Sequence, residues 1–147
     1  MKFKNNKEIV QYFGREFVSA NNLAVYEEVV SKDFVDHTSP NGNYDSMLAT
    51  FQSLRAALPD MEVVIYRLIE EAGCVTSLKS LKGTHTGDSL FGIPADGKKI
   101  QIDLIDIIRL KDGQFVENWA FNNIADVISA VQQKKAIPNL LQEKAME

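Results

Sequence analysis

One cysteine, Cys74, in a chain of 147 residues leaves no intramolecular disulfide and no multi-cysteine metal site. Histidine is nearly as scarce. His37 and His85 are the two, and the spacings H-x-E, H-E-x-x-H and C-x-x-C are absent, so no metal site is expected. Positive charge is not in excess: 16 Lys and Arg stand against 20 Asp and Glu, a net charge of −4. Lys79, Lys82, Lys98 and Lys99 are too scattered for a phosphate track, which argues against a nucleic-acid partner. No apolar run approaches the roughly 18–20 residues that span a bilayer. The start, MKFKNNKEIV, lacks the apolar segment of a secretory signal. The expectation is a cytoplasmic protein with no membrane partner. G-x-S-x-G and G-x-x-x-x-G-K-[ST] are missing too, which excludes an elbow-type serine nucleophile and a nucleotide phosphate loop. No linker or repeat divides the chain. One domain is expected over 1–147, with a core of about 5–135 and a polar, loosely held tail over 136–147.

What is present is periodic. Asn5 or Asn6 can cap a first helix, because Ile9, Phe13 and Phe17 follow at intervals of four. LAVYEEVV (23–30) gives a second, shorter helix. The segment 33–42 reads as a brief extended stretch and a turn. Asn43 or Asp45 then starts a third helix with Met47, Leu48, Phe51, Leu54 and Leu58 on one stripe, stopped by Pro59. Beyond residue 60 the period changes to two. Residues 61–70, 75–83, 99–110 and 114–122 are rich in β-branched and aromatic side chains, with Ala72-Gly73 and Lys111-Asp112-Gly113 as hairpin turns. A last amphipathic helix covers 124–135. Helices first and antiparallel strands after them mean an α+β fold, helices packed on one face of a curved sheet that leaves an open cone. Cones of this kind host small-molecule sites.

Within the strand 100–110, Ile100, Ile102, Leu104, Ile108 and Leu110 share a face with Asp106. A carboxylate among aliphatic side chains is costly unless paired or protonated. Asp106 is therefore either a general acid or base, or a structural aspartate bonded to a neighbouring strand or paired with Arg55 or Arg67. Asp103 falls on the opposite face and is expected to be solvated or at an interface. By the same parity Phe115, Glu117, Trp119, Phe121 and Asn123 fall together. That set is either a ligand wall, aromatic area plus a few orienting polar groups, or core packing with polar ends.

These pieces, in order, resemble the SnoaL-like polyketide cyclases, also labelled ester cyclases, of the nuclear transport factor 2-like superfamily. They are F34-V35-D36-H37, R55-A56-A57-L58-P59-D60, G83-T84-H85-T86-G87, F91-G92-I93-P94-A95-D96-G97-K98-K99, I107-I108-R109-L110-K111-D112-G113 and E117-N118-W119, spread over about residues 8–132. The resemblance implies a cone-shaped sheet, related to the cystatin-like α+β roll, and a homodimer through the sheet's outer face. It also implies acid/base chemistry without metal or organic cofactor on a small hydrophobic, carbonyl-bearing ligand. His85 is then expected to point into the cone; in an enzyme, Asp106 or His85 would be the acid/base group and Asn123 an orienting donor. His37, Arg55, Glu117, Trp119 and Phe121 are expected to contact substrate. One departure is plain: where cyclases of the family carry an aspartate four residues after the tryptophan, this chain has Asn123. An amide orients a carbonyl but exchanges no proton at neutral pH, so three functions stay open: a cyclase, isomerase or lyase, a ligand-binding protein that has lost its catalyst, and an interaction module whose sheet binds protein partners, as scaffolds of the superfamily do.

Overall fold

Asn5 accepts a hydrogen bond from the Glu8 amide and opens the first helix. In the computed structural model, which describes residues 2–141, α1 spans Asn6–Phe13 and runs on as a wider π-helical turn over Gly14–Ser19. Ile9, Val10, Phe13, Phe17 and Val18 all enter the core from this segment. α2 (Leu23–Val29) starts from Asn22, whose side chain accepts from the Ala24 amide. β1 (Val30–Asp36) and the short β2 (Gly42–Asn43) lead into α3 (Tyr44–Ala57). Asn43 and Ser46 cap α3 reciprocally, each side chain bonding the other's amide. The helix ends before Pro59, as expected.

β3 (Glu62–Glu71), β4 (Cys74–Thr84), β5 (Lys99–Lys111) and β6 (Gln114–Asn122) form a meander, followed by α4 (Ile124–Gln132). Both tight turns have two residues with positive φ, Ala72-Gly73 at 52° and 77° and Asp112-Gly113 at 52° and 78°. That geometry follows the strand twist, and glycine takes the second position without a steric penalty. The sheet order is β2-β1-β6-β5-β4-β3. It is curved and unclosed. β1 lies parallel to β6 while the other neighbours are antiparallel, so the sheet is mixed at one edge rather than antiparallel throughout.

α1 and α3 cover one face of this sheet, called the inner face below. β5 alternates as expected: Ile100, Ile102, Ile108 and Leu110 are buried in the core, while Ile105 and Ile107 are exposed. β6 does not keep its parity. Leu110 pairs with Phe115 but Arg109 pairs with Glu117, a register shift that leaves Val116 as an extra residue. Phe115 therefore points into the core, whereas Glu117, Trp119 and Phe121 lie opposite Arg109, Ile107 and Ile105 on the outer face. The expected grouping of five side chains, these four and Asn123, is corrected at that bulge, which separates Phe115 from the rest.

Two further expectations change. Asp103 is buried rather than solvated, because Ser80 Oγ and Gln101 Nε2 donate to Oδ1 at 2.6 and 2.9 Å, and the Leu140 amide donates to Oδ2 at 3.2 Å. The same contacts, with Gln101 Nε2 donating to Asn139 Oδ1, tie down a tail expected to be loose. Residues 142–147 of that tail lie outside the described residues. α4 ends at Gln132, three residues short of the expected 135.

Candidate functional site

The inner face does not pack solid against the helices. A cavity of about 370 Å³ remains, walled by Val10, Phe13 and Gly14 of the first helical segment, Met47 and Phe51 of α3, and side chains of β3 to β6. Gly14 helps set its depth, since a Cβ there would stand 3.1 Å from Val63 Cγ1. The lining is mostly aliphatic and aromatic, with a few polar groups, as small-molecule pockets are. Among the described residues the charged liners are Asp36, Lys79 and Asp106.

Asp36 is fully engaged locally. Its Oδ1 accepts from the Thr38 amide and hydroxyl at 3.0 and 2.8 Å, and its Oδ2 from Ser39 Oγ at 3.1 Å. Thr38 Oγ in turn accepts from the Ala120 amide, which fixes the 37–41 turn at the edge of the cavity. Asp106 differs. Its Oδ2 is 2.8 Å from Lys79 Nζ, while its Oδ1 is buried with no hydrogen-bond partner. The two side chains are only 7% and 15% exposed. Asn118 also lines the cavity, and its Oδ1 too is buried and unpartnered. Asp106 sits opposite Ala120 and Ile108 opposite Asn118, so Asp106 and Asn118 are diagonal neighbours on one face, their backbones about 7–8 Å apart. Buried polar atoms without protein partners are uncommon, and two of them face this cavity.

The residues expected to converge here are dispersed, and Asp106 alone of them lines the cavity. His85 is 1% exposed but lies beneath α4, in contact with a void of about 10 Å³ between the 90–93 loop and Val127. Its Nε2 donates to the Asp88 carbonyl at 2.8 Å. The G-T-H-T-G stretch is held by backbone: the Gly87 and Asp88 amides donate to the Ala57 and Ala56 carbonyls. A Cβ on Gly87 would come within 1.9 Å of Ala56 O, so glycine is obligatory there. The Asp60 carboxylate anchors the strand end by accepting from the Thr84 amide and hydroxyl, bonds that hold its pKa below the usual value. Arg55 donates to the carbonyls of Val18, Ser19 and Pro59, which leaves it a clamp between α3 and the π-helical turn rather than a cavity group. Asn123 does not reach the cavity; its Oδ1 accepts from the Asp103 amide at 2.9 Å and extends the β5–β6 ladder. The cavity-facing neighbour is Asn122.

His37, Glu117, Trp119 and Phe121 sit together on the outer face. The His37 ring stacks on Trp119 at 4.8 Å with 21° between planes, and its Nε2 donates to Glu117 Oε2 at 2.7 Å. Arg109 Nε donates to the other oxygen. His37 first and Arg109 second thus hold the Glu117 carboxyl below its usual range. Sequence reasoning passed over Lys79, Asn118, Asn122 and Thr38. A signal for Lys79 existed: Val75, Ser77, Lys79 and Leu81 share a parity, so the lysine falls on an apolar face of β4.

The family described as SnoaL-like polyketide cyclase matches residues 8–133. The chain belongs to that family. No curated protein matches it. Among solved structures, IdmH of Streptomyces antibioticus, a candidate polyketide cyclase, is similar over 87% of this chain and 99% of its own, at 19% identity and a TM-score of 0.76. AclR of Streptomyces galilaeus, a candidate hydroxylase, is similar over 92% of this chain and 85% of its own, at 18% identity and a TM-score of 0.79. A candidate polyketide cyclase from Bacillus cereus shares 27% identity over 80% of this chain and 73% of its own, with a TM-score of 0.66. The SnoaL-like, nuclear transport factor 2-like fold is therefore shared by proteins described by different reactions, and the fold does not choose among them. Among the described residues no helix is long and apolar enough to cross a membrane.

Proposed function

We propose that the SnoaL-like cavity carries cofactor-independent acid/base chemistry on a small, polyketide-like carbonyl compound: a cyclisation, isomerisation or lyase step. The observation that carries this reading is the buried, unpartnered Oδ1 of Asp106 in an apolar cavity. That oxygen takes the proton next to the substrate carbonyl. Lys79 neutralises the carboxylate and holds it by its other oxygen. The unpartnered Asn118 Oδ1 accepts from a hydroxyl of the ligand and orients it, and the apolar walls keep water from competing. Asp106 would then serve where relatives of the family use the aspartate that Asn123 replaces here.

The test needs no natural substrate. With a β-keto ester in D2O, the protein should accelerate deuterium uptake at the α-carbon, followed by NMR, and Asp106→Asn should lower that rate by about 10²–10⁴-fold. Equal rates in the two proteins would refute the role of Asp106. A second reading is favoured by Asn123, which bonds Asp103 away from the cavity: a binding protein without turnover. In that case the keto ester raises the melting temperature while no exchange above background occurs.

We also propose a homodimer through the outer face, where Ile105 lies opposite Phe121 and Ile107 opposite Trp119. Ile105, Ile107 and Phe121 are 43%, 41% and 66% exposed, a contiguous apolar strip that a two-fold axis would cover with its own copy. Sedimentation should give about twice 16.5 kDa, and Phe121→Glu should give the monomer. The setting we propose is the cytoplasm, where a lone Cys74 stays reduced.

A further inference from the structure

We propose that Lys79 is a nucleophile, its amine condensing with a carbonyl compound in the cavity to form an imine. The inference rests on the reading of this cavity as a carbonyl site. Lys79 is the one amine lining it among the described residues, and its Nζ lies 2.8 Å from Asp106 Oδ2. The other charged liner, Asp36, accepts hydrogen bonds from Thr38 and Ser39.

Imine formation needs the amine freed of its extra proton next to an acid, and Asp106 Oδ2, already at hydrogen-bond distance from Nζ, is the group that can take that proton. The Nζ lone pair attacks the carbonyl carbon, a C–N bond forms, and the π electrons pass to oxygen. Asp106 relays a proton from nitrogen to that oxygen. Asp106 then protonates the resulting hydroxyl, the C–O bond breaks, and water leaves. Amine, acid and carbonyl have become iminium, carboxylate and water, with no change of oxidation state. The iminium draws electrons from the adjacent carbon, and the carboxylate just produced stands ready to take that carbon's proton.

Acetylacetone tests the idea directly, because a 1,3-diketone condenses with a free amine to a stable enaminone with loss of one water. The folded protein at neutral pH should take up one probe per chain, read as the intact-mass increase of the diketone less one water. Peptide mapping should place it on Lys79. Lys79→Arg keeps the charge beside Asp106 and should take none while melting like the parent. Asp106→Asn removes the proton acceptor and should label about a hundredfold more slowly. An unmodified Lys79, or label shared evenly with exposed lysines such as Lys98 and Lys99, overturns the proposal. The two readings fail separately. A Lys79→Arg protein that still exchanges the keto ester's α-proton removes the imine and leaves Asp106 as the proton carrier. Label at Lys79 without any exchange does the reverse.

Discussion

β5 and β6 carry two clusters of polar side chains on opposite faces, a few ångströms of backbone apart, and the clusters are finished to different degrees. On the outer face both oxygens of Glu117 are occupied, by His37 and Arg109, and Trp119 covers the imidazole. On the inner face Asp106 is held by one oxygen, and Asn118 has an oxygen with no partner. In the outer cluster each carboxylate oxygen is paired with a cationic or imidazole partner, on a face open to solvent. The inner cluster is open and sits in a low-dielectric hollow, where an unpaired polar atom is expensive and a ligand that pairs it binds well.

Double-mutant cycles should break or support that contrast most sharply. Lys79→Met or Asp106→Leu alone strands a buried charge and should cost about 3–5 kcal/mol in urea denaturation. The combined variant should cost less than either. The matching cycle on His37→Ala and Glu117→Gln, a half-exposed pair, should give a coupling below about 1 kcal/mol. An inner coupling no larger than the outer would remove the distinction. Gly87→Ala comes next, with a loss of about 3 kcal/mol from a Cβ driven against the Ala56 carbonyl. Its folded fraction should exchange α-protons at the parent rate, because the His85 loop supports the scaffold and not the cavity. Trp119→Ala should cost about 1 kcal/mol of ring contact and leave exchange untouched; a slower rate would mean that the outer cluster reaches the site. The smallest effect is in acid. Glu117 and Asp60 have depressed folded-state pKa values. Their contribution is complete above the usual carboxylate range, near pH 4, and fades as pH falls through the folded values. Glu117→Gln should flatten the fall of stability that sets in as pH drops below the usual carboxylate range, and an unchanged slope would show that His37 and Arg109 do not favour the ionised form.

The helices and strands were legible because their causes are local. Asn5 and Asn43 cap, Pro59 stops, and Gly73 and Gly113 turn, each within a few residues of the element it bounds. Asp106 was legible as an oddity for the same reason, one carboxylate in a period-two run of aliphatics. The placement of the histidines was not. His37 and His85 stand in similar short polar motifs, yet one stacks on a surface indole and the other is sealed under α4. Nothing within three residues of either says which.

By itself the sequence determined the α+β order of elements, the SnoaL-like family and the face of β5 that bears Asp106, since periodicity and turn chemistry act between near neighbours. The tertiary structure decided which partner Asp106 meets and which side chains of β6 join it. Pairing with β5 inserts Val116 as an extra residue and turns Glu117, Trp119 and Phe121 outward. Lys79 comes from a strand more than twenty residues earlier. Register and strand adjacency are long-range properties of the sheet, settled by which pairing buries the most apolar surface, and no local stretch of chain encodes them.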